Sequence, residues 1–242
     1  VVFSNSVIRN ANRGIRIVLW NGCKISDVIF SNLTMDLSRR HYNWWGNAEA
    51  FQFVIGKENP DSALGSVHNV IVENIIAHAR GTSALIAPAD RRLMEDISIS
   101  NVQMTMSAEN SNDKRASHAL SVEGVRGFRL RDFSVKWDEE KTEPQWASGL
   151  YLKDVDDFEI VGFRGRQGLK DGKSGAIVLN NVTDGVIRNS RATHNCGTFL
   201  EVRGARTKDV AVFHNDASRA AKKHEFADGA SADSVRFNQP SD

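Results

Sequence analysis

Cysteine is nearly absent: Cys23 and Cys196 are the only two in 242 residues, so no disulfide framework carries the fold, and their spacing matches no metal or redox pattern. Long apolar runs are also missing. Nothing in the sequence approaches the roughly 20 apolar residues that cross a bilayer, which argues against a membrane partner, and no basic-then-apolar stretch opens the chain as a signal peptide would. Charge of one sign is not in surplus either. With 31 basic and 30 acidic residues the formal net charge is +1, too little to hold a polyanion by a global field, so nucleic acid is not an expected partner and any acidic ligand must meet a local basic cluster. The seven histidines show no H-x-H or H-E-x-x-H spacing, and the reading is of no metal and no cofactor. What remains is an ordinary globular composition, 40% hydrophobic and 25% charged, long enough for one sizeable core. The chain opens on "VVFSN" without Met, and is expected to be a piece of a longer protein or a mature form.

Internal repetition supplies the architecture. An apolar-x-apolar-x-Asn-like unit recurs as "VVFSN" from Val1, "VIFSN" from Val28, "VIVEN" from Val70, "ISISN" from Ile97 and "FRLRD" from Phe128. Degenerate copies follow as "FEIVG" from Phe158, "GVIRN" from Gly185 and "VAVFH" from Val210, giving spacings of 27, 42, 27, 31, 30, 27 and 25 residues. Each unit holds two or three short alternating runs with turns between them and no helical period, so the repeat folds as strands.

A second strand set follows the first: "GIRIV", "AFQFV", "SALIA", "ALSVE", "GLYLK", "AIVLN" and "FLEVR". Because side chains alternate faces, Ile15, Phe51, Ala84, Leu120, Leu150, Ile177 and Leu200 are expected to form one inward column, and Ile17, Phe53, Ile86, Val122, Leu152, Leu179 and Val202 a second. Two aliphatic columns are what stacked coils bury. The expected fold is all-β, a right-handed parallel β-helix solenoid of about eight coils over residues 1–217, each coil about 4.8 Å above the last. Residues 218–242 are expected as a polar C-terminal cap or tail. A leucine-rich repeat is the rival solenoid, but one strand plus a helix does not explain several strands per unit. The two cysteines would lie six coils apart, about 29 Å, beyond disulfide reach, and are expected as free thiols.

The Asn-like position that ends the first strand of each unit (Asn5, Asn32, Asn74, Asn101, Asp132, Asn189) has a structural explanation: Asn tolerates the left-handed conformation at turns, and stacked Asn side chains can ladder. The same explanation absorbs the glycosylation patterns at Asn32 and Asn181.

Residues facing outward on the second strand set form a candidate floor: Arg16, Gln52, Leu85, Ser121, Tyr151, Val178 and Glu201. Its polar end is at the first two coils, where Arg16 stands one rung from Gln52 with Arg13 nearby. That placement favours anion binding over a solvated charge or a pairing with a neighbouring carboxylate. Long insertions precede these strands at residues 36–49, 107–117 and 138–147, the last with Trp146, and stacked they would form a wall beside the floor. The first is the most aromatic, "RRHYNWWGNAEAF" from Arg39 to Phe51. Tyr42, Trp44 and Trp45 could pack against sugar C–H faces while Arg39, Arg40, His41 and Asn43 bond hydroxyls or pair with carboxylates. The alternative is that one Trp folds the loop down as core.

The stretches "FSNSVIRNANRGIRIV", "ISDVIFSNLTMDL" and "WWGNAEAFQF", continued by "GVRGFRLRDFSVKW" and "CGTFLEVRGARTKDV", resemble the later half of glycoside hydrolase family 28, the polygalacturonases and rhamnogalacturonan hydrolases. The resemblance implies hydrolysis of a galacturonate-containing acidic plant polysaccharide, and an extracellular or periplasmic site of action. The family's R-I-K element, which grips a uronate carboxylate, matches at Arg16 and Ile17 but reads Val18 for Lys. In the Trp loop Trp44, Trp45, Gly46 and Glu49 match, while Ala48 and Ala50 replace Gly and Pro. The family's N-T-D, paired-Asp and G-H-G elements precede R-I-K, and only fifteen residues precede Arg16. The catalytic acids are therefore expected upstream of Val1, and this chain alone is expected to be inactive.

Inverting hydrolysis needs two carboxyl groups about 6.5 to 9.5 Å apart. Within the chain, Asp36 and Glu49 flank the aromatic loop, but Glu49 is better read as a sugar ligand or as a brace for the Trp loop. "VDDFE" at Asp156 and Asp157 is read as a solvated turn. Three functional classes stay open: a pectin-directed hydrolase completed by upstream coils, a non-catalytic glycan-binding or structural β-helix, and a β-helical polysaccharide lyase, against which the lack of clustered acidic calcium ligands counts.

Overall fold

Short alternating strands cannot bury an apolar face alone; stacking copies in parallel removes that face from water and pairs every backbone amide with the coil above or below. The computed structural model, which describes residues 1–39, 46–89 and 92–237, has this form. Its first sheet runs Val2–Ala11, Lys24–Leu37, Ser66–Ala79, Met94–Met106, Val125–Trp137, Asp156–Val161, Thr183–Arg188, Lys208–Phe213 and Val235–Phe237, with Arg164–Gly165 and Arg191–Ala192 extending it. The second runs Arg13–Leu19, Glu49–Ile55, Ser83–Ile86, Leu120–Glu123, Leu150–Lys153, Gly175–Asn180, Cys196–Arg203 and Ala220–Ala227. Stacked neighbours in both sheets are parallel and come from successive repeats. The molecule is a parallel β-solenoid of about eight turns, as the repeat predicts, and the one helical turn among the described residues is the 3-10 turn Ala232–Ser234.

The long strands of the first sheet bend at a left-handed residue without leaving the ladder. In Lys24–Leu37 the buried apolar residues are Val28, then Leu33, Met35 and Leu37. Inward parity changes from even to odd across Asn32, whose φ is 55°. The same corner repeats at Asn5, Asn74, Asn101, Asp132 and Asn189 with φ between 48° and 57°. At Gly162 the corner is a glycine, where a Cβ would stand 2.6 Å from Asp132 Oδ1. Asn side chains are suited to this conformation, which costs most residues about 1 to 2 kcal/mol. They also ladder: the Nδ2 groups of Asn32, Asn74 and Asn101 donate to Oδ1 of Asn5, Asn32 and Asn74 at 2.9, 2.9 and 2.8 Å. The Asn32 amide thus has both atoms engaged, so glycosylation of its matching pattern would break the ladder. Asp157 of "VDDFE" stands at a second such corner, with φ of 54°, and accepts Arg129 Nη2 at 2.8 Å.

Inside the second sheet the rungs stack Ile15 on Phe51 and Ile17 on Phe53, and further on Leu120 on Leu150 on Ile177 on Leu200. The third coil departs from the expected parity. Ser83 and Leu85 point inward, fully buried, while Ala84 and Ile86 lie on the outer face and Ile86 is 38% exposed. A one-residue slip exchanges the faces of a strand, and in "SALIA" apolar residues at Ala84, Leu85 and Ile86 left the pattern ambiguous. Ser83 is tolerated inside because its hydroxyl accepts the amides of Ala50 and Phe51 at 3.2 and 3.4 Å. Leu85, expected on the floor, is a core residue.

The polar segment after Ser218 continues the stack. Ala220–Ala227 pairs with Cys196–Arg203, and Val235–Phe237 with Lys208–Phe213. His224 succeeds Leu200 in one inward column and Phe226 succeeds Val202 in the other. Cys23 is exposed and Cys196 buried, both as thiols.

Replacing Asn74 separates the two roles of the corner residue. Asn74→Gly removes two ladder bonds but keeps the left-handed backbone and should cost about 1 kcal/mol; Asn74→Ala adds the strain and should cost about 2 kcal/mol, read from urea unfolding midpoints. Equal losses would show that conformation plays no part.

Candidate functional site

Strand alternation puts Arg16 and Gln52 on the outer face of the second sheet, and the rungs pair them directly. The same pairing joins Arg13 to Glu49, where the aromatic insertion returns to the sheet. Glu49 is buried; its Oε1 stands 3.6 Å from Arg13 Nε and its Oε2 accepts the Asn47 amide at 2.5 Å. Burial pushes its carboxyl above the ordinary range, opposed by two backbone hydrogen bonds and by Arg13 and Arg16. The Arg16 guanidinium is held below its usual value by partial burial and by like-charged Arg13, with Glu49 opposing. Two cations and one carboxyl therefore share the first two coils, and Glu49 braces the end of the insertion.

Beyond Gln52 the floor column continues as Ala84, Ser121, Tyr151, Val178 and Glu201. Two residues further along each strand lies a second outward column that the sequence reading passed over: Val18, Val54, Ile86, Glu123, Lys153, Asn180 and Arg203. The period-2 rule that located the first column locates this one too. The floor thus changes character along the stack. It is aliphatic beside Arg16 and Gln52, and ion-paired further on, where Lys153 meets Glu123 at 3.6 Å and Arg203 meets Glu201 at 2.6 Å.

In that later part His118 stacks on Tyr151 with centroids 4.6 Å apart, and Asn180 Nδ2 donates to the Tyr151 hydroxyl at 3.1 Å. His118 Nδ1 accepts the Ser148 amide at 3.3 Å, which leaves its proton on Nε2. Burial, and secondarily Arg203, lower the His118 pKa to about 4.

Buried charge joins the described parts of the three insertions. Arg39, 1% exposed, meets Asp113 at 3.4 Å and Glu109 at 3.9 Å and donates to the Asp113 carbonyl at 2.9 Å. Glu143 of the third insertion accepts the Glu109 amide at 2.5 Å and pairs with Lys114 at 2.9 Å. Arg39 was expected to face ligand and instead ties the first insertion to the second. Trp146 is buried against Trp137, centroids 5.0 Å apart, as core rather than as a binding surface. His41, Tyr42, Trp44 and Trp45, with Arg40 and Asn43, lie outside the described residues. Asp36 sits exposed on the first sheet, in register with His78, and does not converge with Glu49. Among the described residues no group of three or more His, Cys, Asp or Glu side chains is arranged to hold a metal ion.

No family model matches the chain, and no curated protein matches it. Solved structures do. The native form of the GH136 lacto-N-biosidase from Eubacterium ramulus aligns at TM-score 0.55 and 12% identity over 98% of this chain and 49% of its own, and the selenomethionine form aligns at 0.55 and 11%. The A-module of the mannuronan C-5 epimerase AlgE4 from Azotobacter vinelandii aligns at TM-score 0.34 and 12% identity over 93% and 81%. The likeness to the lacto-N-biosidase is one of fold, and the chain spans about half that protein's length.

Two substitutions test the electrostatics. Arg39→Met leaves the buried Glu109 carboxylate without its cation and should destabilise the chain by about 3 to 5 kcal/mol, whereas Arg16→Gln on the floor should cost less than about 1 kcal/mol; comparable losses in thermal unfolding would contradict the division between wall and floor. His118 is neutral when folded. Its depressed pKa means that its stabilising contribution is complete above pH 6.5 and is lost as pH falls towards 4, up to about 3 kcal/mol. His118→Phe should flatten stability between pH 7 and 4 relative to the parent, measured by urea unfolding at each pH.

Proposed function

We propose that this chain is the substrate-binding part of a β-helix carbohydrate hydrolase acting on an acidic, galacturonate-containing polysaccharide outside the cell or in the periplasm. The observation that carries the reading is the rung pairing of Arg16 with Gln52 on the outer face, beside Arg13 and Glu49. A uronate carboxylate suits a guanidinium, which offers it two parallel N–H donors. The Gln52 amide one rung away can both donate to and accept from a sugar hydroxyl. The likeness to a lacto-N-biosidase is compatible with a glycan ligand, and the motifs at Arg16–Ile17 and Gly46–Glu49 favour the pectin-type substrate. In this reading the acid pair lies outside this chain, upstream of Val1. His41, Tyr42, Trp44 and Trp45, expected as further sugar contacts, belong to the insertion that ends at Glu49.

A non-catalytic glycan-binding β-helix is the second reading, favoured by the commitments of the floor carboxylates. Glu49, Glu123 and Glu201 pair with Arg13, Lys153 and Arg203, which suits fixed structure better than proton transfer.

Titration with oligogalacturonates should give binding that weakens with salt, and Arg16→Gln should reduce affinity about tenfold, in line with loss of a charge-assisted bidentate contact. Equal binding of a neutral oligosaccharide of the same length would defeat the acidic-ligand reading. Release of reducing ends by the chain together with its upstream coils identifies the hydrolase; binding without release identifies the module. An unsaturated product absorbing in the near ultraviolet would indicate elimination instead.

A further inference from the structure

Trp20 is 41% exposed, a large aromatic left at the surface of the same coil that carries Arg16. Its position follows from alternation. Ile15, Ile17 and Leu19 are buried on the inner face, so Arg16, Val18 and Trp20 follow one another on the outer face. Trp20 lies just past the strand end, yet its backbone is still held by the second coil: the Gly56 amide donates to the Leu19 carbonyl at 2.9 Å and the Glu58 amide to the Trp20 carbonyl at 3.2 Å. The ring has a seat as well. It lies across Gly56, where a Cβ would fall on Cζ3 of the indole and 2.9 Å from Cε3. Between this seat and the Arg16–Gln52 pair stand Val18 and Val54, partly exposed, with Ile86 on the next rung.

An indole that is held in place but left two-fifths exposed keeps a large apolar area open to water that a core position would have covered. A flat, fixed, half-open ring at the end of an aliphatic strip is suited to receiving the C–H face of a pyranose. We propose that Trp20 is a sugar-stacking residue and that the ligand lies along the strand direction, across the solenoid, from Arg16 over Val18 and Val54 to Trp20. The four-residue separation spans about 13 Å at the rise of a strand, longer than a single sugar ring. The proposal rests on the acidic-glycan reading for its Arg16 end only. Its chemistry specifies the substrate further: an anionic sugar at Arg16 joined to a unit that presents an axial C–H face to the indole.

Calorimetric titration of galacturonate monomer, trimer and hexamer into the parent chain, Trp20→Ala, Trp20→Phe, Gly56→Ala and Arg16→Gln tests this, with thermal melting as the control for folding. Trp20→Ala and Gly56→Ala, the second of which displaces the ring without altering it, should each weaken trimer and hexamer binding roughly three- to tenfold. Monomer affinity, which senses only the Arg16 end, should be unchanged, and Trp20→Phe should retain most of the affinity. Unchanged hexamer binding in Trp20→Ala and Gly56→Ala, with loss in Arg16→Gln, would overturn the stacking role while leaving the acidic-glycan reading intact. Binding of a neutral hexasaccharide that is lost in Trp20→Ala would support the stacking site and overturn the acidic reading. Failure of both hexamers to bind the parent would overturn both.

Discussion

The constraint on which the molecule depends is that the chain must turn corners without surrendering the backbone hydrogen bonds that join one coil to the next. An unpaired buried amide or carbonyl costs as much as a lost hydrogen bond, and a solenoid repeats any such loss on every turn. Left-handed residues resolve this at fixed heights in the stack. One corner runs Asp27, Asn69, Asp96, Gly127, Asp157, Asp184, Asp209; another runs from Asn5 through Asn32 to His214. In the later coils a third follows the second sheet at Gly124, Asp154, Asn181, Gly204 and Asp228. Asn, Asp and Gly recur there because they adopt this backbone at least cost, with His214 the exception at the end of the second series. Their regular recurrence is what keeps Phe51 over Ile15 and Gln52 over Arg16.

Once the corners are set, the outer face of the second sheet becomes a surface whose chemistry is written one rung at a time. Early rungs place a guanidinium and an amide beside Val18, Val54 and Ile86, whereas later ones place Glu123, Lys153, Glu201 and Arg203 where they satisfy one another. Surface ion pairs of this kind add little stability, so their effect on the later floor is chiefly to occupy its charges. The wall obeys a different rule. Arg39, Glu109 and Glu143 are withdrawn from water, and buried charges are tolerated only when paired and hydrogen-bonded, as Arg39 is with Asp113 and Glu143 is with Lys114. Described residues of insertions from three coils are thereby tied to one another.

Parallel β-solenoids present such faces whatever chemistry they serve, so fold likeness at 12% identity to a lacto-N-biosidase cannot by itself assign a reaction. Function resides in the site. There Arg16 and Gln52 lie beside Val18, Val54 and Ile86 at the first coils, where the insertion also returns to the sheet at Glu49.

Most of the architecture was legible without coordinates, because parallel stacking repeats its apolar pattern at every turn and the corner residues advertise their backbone. Eight coils, the Asn corners and the Arg16–Gln52 rung all follow from that periodicity. The third coil shows the limit: "SALIA" is apolar on both parities, and only the hydroxyl of Ser83 reaching the amides of Ala50 and Phe51 decides that Leu85 faces in. Arg39 shows another, since a charge in a loop gives no sign of whether a carboxylate some seventy residues away will enclose it. Trp20 shows a third: its ring is seated over Gly56, which belongs to a different coil. The amino-acid order determined the stack and its inner columns because these rest on local alternation. Which side chains are open to a ligand was decided only in three dimensions, because burial and charge pairing depend on partners that the chain brings together from separate turns.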